Sequence, residues 1–116
     1  MKFLCLAYGR AADWQTLPKS DQDALLAQDE ILRRRGDLVA AVAPASTVVR
    51  AWDGTPSATP GPLVDSDLPL AGFGVIEARD LAHAVTLVSD TPCARAGGAV
   101  ELREITASND DDRNTR

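Results

Sequence analysis

The chain has 116 residues, of which 45% are hydrophobic and 25% charged, a size and balance that supply one globular core and not two. Its formal net charge is −5, with acidic residues spread along the chain and a small cluster at Asp110, Asp111 and Asp112. It therefore lacks the basic footprint that nucleic acid or an anionic membrane demands, and a small molecule or another protein is the expected partner.

The opening "MKFLCLAY" has an apolar run that Tyr8, Gly9 and Arg10 interrupt. With no small-residue cleavage site it reads as a first strand over 2 to 8, not as a signal peptide. No later stretch approaches the roughly 20 apolar residues of a membrane span, so a soluble, cytoplasmic protein is expected. Residues 9 to 21 read as a loop. Ser20 fits a helix N-cap, Asp23 a weak capping-box partner and Gly36 the C-terminal stop, which predicts a helix from about 21 to 35. "DLVAAVA" (37 to 43) and "STVVRAW" (46 to 52) read as strands separated by Pro44. "DGTPSATPGP" supplies an Asp53-Gly54 turn and a Pro-rich loop.

"GFGVIEA" (72 to 78) is the next strand, and Asp80 caps a second helix over 81 to 89 that ends at Thr91-Pro92. The last strand is "GAVELREI" (98 to 105). The domain is thus expected over 1 to 105, followed by a disordered tail over 106 to 116. The order is β-α-β-β-β-α-β, or one strand fewer if 37 to 52 forms a single bent strand. Either version is α+β, the ferredoxin-like split βαβ plan, an antiparallel sheet with two helices on one face.

An antiparallel sheet with one wet face alternates apolar and polar residues, yet Phe3 to Ala7 and Leu38 to Val42 do not. Both faces read as dry, and two helices cover only one. A second copy of the chain is the simplest cover for the other, which predicts a homodimer with facing sheets; a loop folded over the face is the alternative.

The opening "MKFLCLAYG", the helix ending at Gly36 before "DLVAA", "PGPL" at 60 to 63, "GFGVIEARDLAHAV" and "GAVELREI" together resemble the YCII-related, or DGPF-domain, family over about residues 1 to 105. Pro60 and Leu63 stand where the family signature has Asp and Phe. The resemblance implies a dimeric α+β barrel with a cleft between sheet and helices that suits a small organic ligand. It also implies an acid-base histidine on the first helix, but the matching position here is Leu25, which cannot transfer a proton. Family genes often lie near those of extracytoplasmic-function sigma factors, so a sigma factor is a partner that the resemblance implies.

The one histidine, His83, falls opposite the apolar face formed by Leu81, Ala84, Val85 and Val88 and is expected on the surface. The two cysteines, Cys5 and Cys93, form no CxxC motif, so reduced thiols are expected, with no metal site and no cofactor. Candidate ligand-binding residues are Tyr8 at the end of the first strand, Trp14, Gln28, Arg50 and Asp65. Gln28 lies near the apolar arc of Ala24, Leu25, Ile31 and Leu32, where a bond to backbone or a partner chain competes with a ligand. Arg50 would hold a carboxylate, and Asp65, like Asp67, would act as a base if desolvated. Gly61 and Pro62 shape the loop, the first through a positive φ and the second through its fixed one. Glu101 and Arg103 share a strand face, where cross-strand or dimer-interface pairing is a simpler role than holding an anionic ligand. Trp52 is apolar payload with an N–H handle.

Three functions compete on this reading. One is a homodimeric small-molecule-binding or accessory protein, holding a small organic acid without the family's histidine catalyst. Another is a lyase or isomerase with a Tyr or Asp acid-base group, and the last is a partner in sigma-factor-linked regulation.

Overall fold

The computed structural model describes residues 1–109. From residue 110 onward the expected tail, with its Asp110–Asp112 cluster, lies outside the described residues. The elements in chain order are β1 (Lys2–Tyr8), α1 (Ala11–Gln15), α2 (Lys19–Arg34), β2 (Leu38–Ala41), β3 (Thr47–Arg50), β4 (Ser57–Pro60), β5 (Leu70–Glu77), α3 (Leu81–Val88), α4 (Pro92–Arg95) and β6 (Ala99–Ile105). Four strands form an antiparallel sheet in the order β2-β5-β1-β6. This is the split βαβ arrangement within a mixed α+β fold.

The segments 37 to 43 and 46 to 52 are not one bent strand. β2 joins the main sheet, whereas β3 pairs with β4 in a separate two-stranded hairpin. β4 lies in the stretch expected to be a loop; Pro60, at its end, sits where a hairpin edge asks for no N–H. The expected loop over 9 to 21 contains the short helix α1, and Thr91-Pro92 opens another, α4, because proline suits a first helical turn.

Helix α2 starts earlier than Ser20 suggests. Pro18 is its N-cap, and the Pro18 carbonyl accepts the Asp21 and Gln22 N–H groups at 3.0 Å. Its C-terminus closes as a Schellman motif: Gly36 takes φ +95°, its N–H donates to Arg33 O at 2.9 Å, and the Asp37 N–H donates to Leu32 O at 3.1 Å. Asp37 Oδ1 then accepts the Glu77 N–H at 3.0 Å, and Arg35 Nε balances Asp37 Oδ2 at 3.3 Å as an ion pair. The end of α2 is thereby pinned to the end of β5.

At the start of α3, Asp80 Oδ1 accepts the His83 N–H at 2.8 Å while His83 Nδ1 accepts the Arg79 N–H at 3.1 Å. His83 is therefore half-buried and engaged in the cap, not simply directed at solvent. The buried face of α3 is also turned from the expected one. Ala84 and Val88 are buried with Leu87 beside them, while Leu81 and Val85 are exposed.

Side chains alternate across the sheet. Phe3, Cys5 and Ile76 face the helices and form the core with Leu32, Ala84 and Val88. Leu4, Leu6, Leu38, Phe73 and Val75 lie on the opposite face, which α2 and α3 leave uncovered. Leu38 is 50% exposed there.

Candidate functional site

The helix-facing side of the sheet carries a patch of very small residues. Cys5 pairs with Gly74 and Ala7 with Gly72 across β1 and β5, while Gly72 pairs with Ala41 across β5 and β2. These side chains are too short to fill the space beneath α2. The result is a cavity of about 300 Å³, with Leu26, Asp29, Leu32 and Arg33 of α2 above and Thr91, Pro92 and Cys93 at one end. Glycine is required in its floor for a second reason. A Cβ at Gly72 would sit 2.5 Å from Ala40 O, and one at Gly74 would sit 2.8 Å from Leu38 O.

Asp29 is the acid in this cavity. Leu25, Gln28, Asp29 and Leu32 share the inward face of α2 at spacings of three and four residues. Among the described residues no hydrogen bond or ion pair holds its carboxylate. Loss of solvent raises its pKa above the ordinary carboxylate value, and the Arg33 guanidinium one turn away partly opposes that shift. Arg33 itself is exposed beside the cavity and, among the described residues, pairs with Glu30 at 3.8 Å, a long surface ion pair that leaves its planar fork able to meet an anion.

Both cysteines line the same cavity. Burial, with a smaller contribution from Asp37, pushes the Cys5 thiol up to about 11. Burial and then the Asp29 charge push Cys93 up as well. Neither thiol is poised as a thiolate nucleophile. Thr91 is buried, and its hydroxyl donates to Val88 O at 2.6 Å.

The residues singled out from the sequence are not gathered at this cavity. Tyr8 lies, by strand alternation, on the same sheet face as Leu4 and Leu6, opposite the helices. Trp14 is half-buried on α1, where its carbonyl accepts from Gln22 Nε2 at 2.8 Å. Gln28 donates to Leu87 O at 2.8 Å and so ties α2 to α3. Arg50 is exposed on the hairpin and Asp65 is exposed in the loop before β5. Gly61 adopts φ +107° and donates to Ser46 O at 2.9 Å, closing the base of the hairpin ahead of Pro62. Glu101 and Arg103 pair with each other at 2.8 Å.

A second, more open groove of about 530 Å³ runs along α2 past Leu25, Gln28 and Ile31 to Asp90 and Arg95. Most of its polar groups are already engaged, Arg95 with Asp90 and Gln28 with Leu87, and its remaining acid, Asp21, is exposed to solvent. The smaller cavity, whose unpaired acid is half-buried and desolvated, is the better candidate. Among the described residues no cluster of His, Cys, Asp or Glu is placed to hold a metal ion. No helix there is long and apolar enough to cross a membrane.

Asp29 escapes a sequence reading because an acid on a helix is ordinarily solvated. The available signal was its position four residues after Leu25 and three before Leu32.

A ferredoxin-like sheet, two helices on one face and a small cavity between the layers define the class of this α+β protein. The chain belongs to the YCII-related domain family, whose model matches residues 1–109. No curated protein matches it. Among solved structures it is similar to 5-chloro-2-hydroxyhydroquinone dehydrochlorinase (TftG) from Burkholderia phenoliruptrix AC1100, solved in complex with 2,5-dihydroxybenzoquinone. That similarity has a TM-score of 0.49 and 19% identity over 95% of this chain and 98% of that one.

Proposed function

We propose that this YCII-related protein binds a small organic acid in the cavity between sheet and helices, with Asp29 as the proton-carrying group. The observation that carries this reading is an unpaired carboxyl, raised in pKa by desolvation, within an apolar cavity of about 300 Å³. That volume is at the low end for small-molecule sites, so the ligand is smaller than a typical drug. Its apolar body would fill the space over Gly72 and Gly74. Its carboxylate would reach Arg33 beside the cavity, while Asp29 stays protonated more readily than a solvated acid.

Such an acid, held away from water, is suited to giving or taking a proton. This supports the lyase or isomerase reading through Asp29, a residue that has no need of the family's histidine. The uncovered apolar sheet face supports the homodimer as its assembly.

The test is a panel of small monocarboxylic acids and their amides, followed by calorimetry against wild type, Arg33→Gln and Asp29→Asn. Acids should bind wild type more tightly than amides, and Arg33→Gln should remove roughly tenfold of that preference. Asp29→Asn should retain binding but lose any proton exchange into the bound acid. Equal affinity for acids and amides in wild type would refute the carboxylate assignment.

A further inference from the structure

The main sheet ends in two edge strands, β2 with four residues and β6 with seven. β6 pairs with β1 along its whole length without a break in register. Among the described residues no backbone group bonds to its outer side. An edge of this length presents a row of unpaired N–H and C=O groups, which natural sheets blunt with proline, a bulge or charge. β6 has no proline and no bulge, and relies on Glu101, Arg103 and Glu104, all exposed.

We propose that β6 pairs antiparallel with β6 of a second copy, about a two-fold axis that passes through Leu102 perpendicular to the sheet. In that register all seven residues overlap, and Glu101 of each copy lies directly opposite Arg103 of the other. Opposite charges in such positions attract, and like charges repel. The pair that now closes within one strand at 2.8 Å would be shared as a cluster of four alternating charges. The sequence also rejects the neighbouring alignments. A slip either way that keeps the helices of both copies on one face sets Glu101 against Glu101 or Arg103 against Arg103.

Helix α3 lies above this edge and borders it with apolar surface. Leu87 packs on the core, and its carbonyl is tied to α2 through Gln28. Leu81 and Val85 fall roughly 120° to 160° around the helix from Leu87, on the flank away from α2, and both are exposed. There is room for the two copies of α3 to meet. Four strands about 4.8 Å apart carry α2 and α3, or one helix per roughly 10 Å, which is the ordinary spacing of packed helices. A doubled sheet keeps that spacing across the junction. Edge pairing uses neither the cavity nor the uncovered sheet face, and so adds to a facing-sheet dimer without competing with it.

The experiment is sedimentation velocity of the full chain across a dilution series, with Glu101→Arg, Arg103→Glu, their equimolar mixture and the double reversal on one chain. Each single reversal sets like charges opposite each other in its own pair, whereas the two variants meet each other with opposite charges throughout. Both positions are exposed, so the core of each copy is left intact. The expected result is an association that either single reversal weakens roughly tenfold, and that the mixture and the double reversal both restore. Equal association in every sample would overturn edge pairing and leave a facing-sheet dimer standing. Weakening without recovery in the double reversal would also overturn it, and so would a wild-type monomer.

Discussion

Asp29 holds its proton more tightly in the folded chain than in the unfolded one, because desolvation outweighs the opposing Arg33 charge. Stability contributed by the protonated form is complete below the ordinary value of 3.8 and is lost as pH rises through the folded value. The melting temperature of Asp29→Asn minus that of wild type should therefore grow as pH rises from 3.8 and then level off. A difference independent of pH would show that Asp29 is solvated. The thiols give a second prediction at this scale. With Cys5 at about 11 and Cys93 also raised, both should alkylate slowly at neutral pH, Cys5 more slowly than the less buried Cys93. Asp29→Asn should speed alkylation of Cys93 alone, since that charge opposes its thiolate, and mass spectrometry of timed iodoacetamide reactions reads both rates. Faster reaction at Cys5 would contradict the placement. Gln28 was legible in the sequence as a polar group near an apolar arc, and its bond to Leu87 O satisfies it locally. Asp29, one position on, was not legible, because nothing in a helical wheel distinguishes a desolvated acid from a solvated one.

Strand β5 depends on its glycines. Gly74→Ala would place a methyl 2.8 Å from Leu38 O, a backbone atom that cannot move without β2. It should cost roughly 1–3 kcal/mol, as overpacking does, and urea unfolding would measure it. A neutral Gly74→Ala would mean that β2 is not fixed in this register. Gln28→Ala should cost about 1 kcal/mol by breaking the link between α2 and α3 and leaving Leu87 O unpaired. No loss in the same assay would show that water replaces the amide freely. The longer elements were readable from local chemistry: Gly36 ended α2, and Asp80 capped α3. β4 was hidden because "PSATP" has neither apolar alternation nor β-branched enrichment, and its pairing with β3 supplies what its own residues lack. The face of α3 was misjudged because the helical wheel weighs Leu81 and Val85 by hydrophobicity alone. The Asp80–His83 cap sets where the helix begins, and Ala84 makes its closest approach to the core.

At the scale of the whole molecule, the split βαβ plan followed from the order of elements. The cavity did not, because it arises where small residues from β1, β2 and β5 meet in register, and those contacts join positions more than thirty residues apart in sequence. No periodicity within one strand records such a meeting. The function proposed here stands on that meeting, with an acid above it and a guanidinium beside it. The measurement that tests it most directly is an amide NMR titration of the ¹⁵N-labelled protein with the panel of small carboxylic acids and amides. The account predicts that acids shift the amides of Gly72, Gly74, Thr91 and Cys93 more than the matching amides do, and that Arg33→Gln removes the difference. If no member of the panel perturbs these four amides, or if the shifts fall in the groove beside Leu25 and Ile31, the cavity is not the binding site.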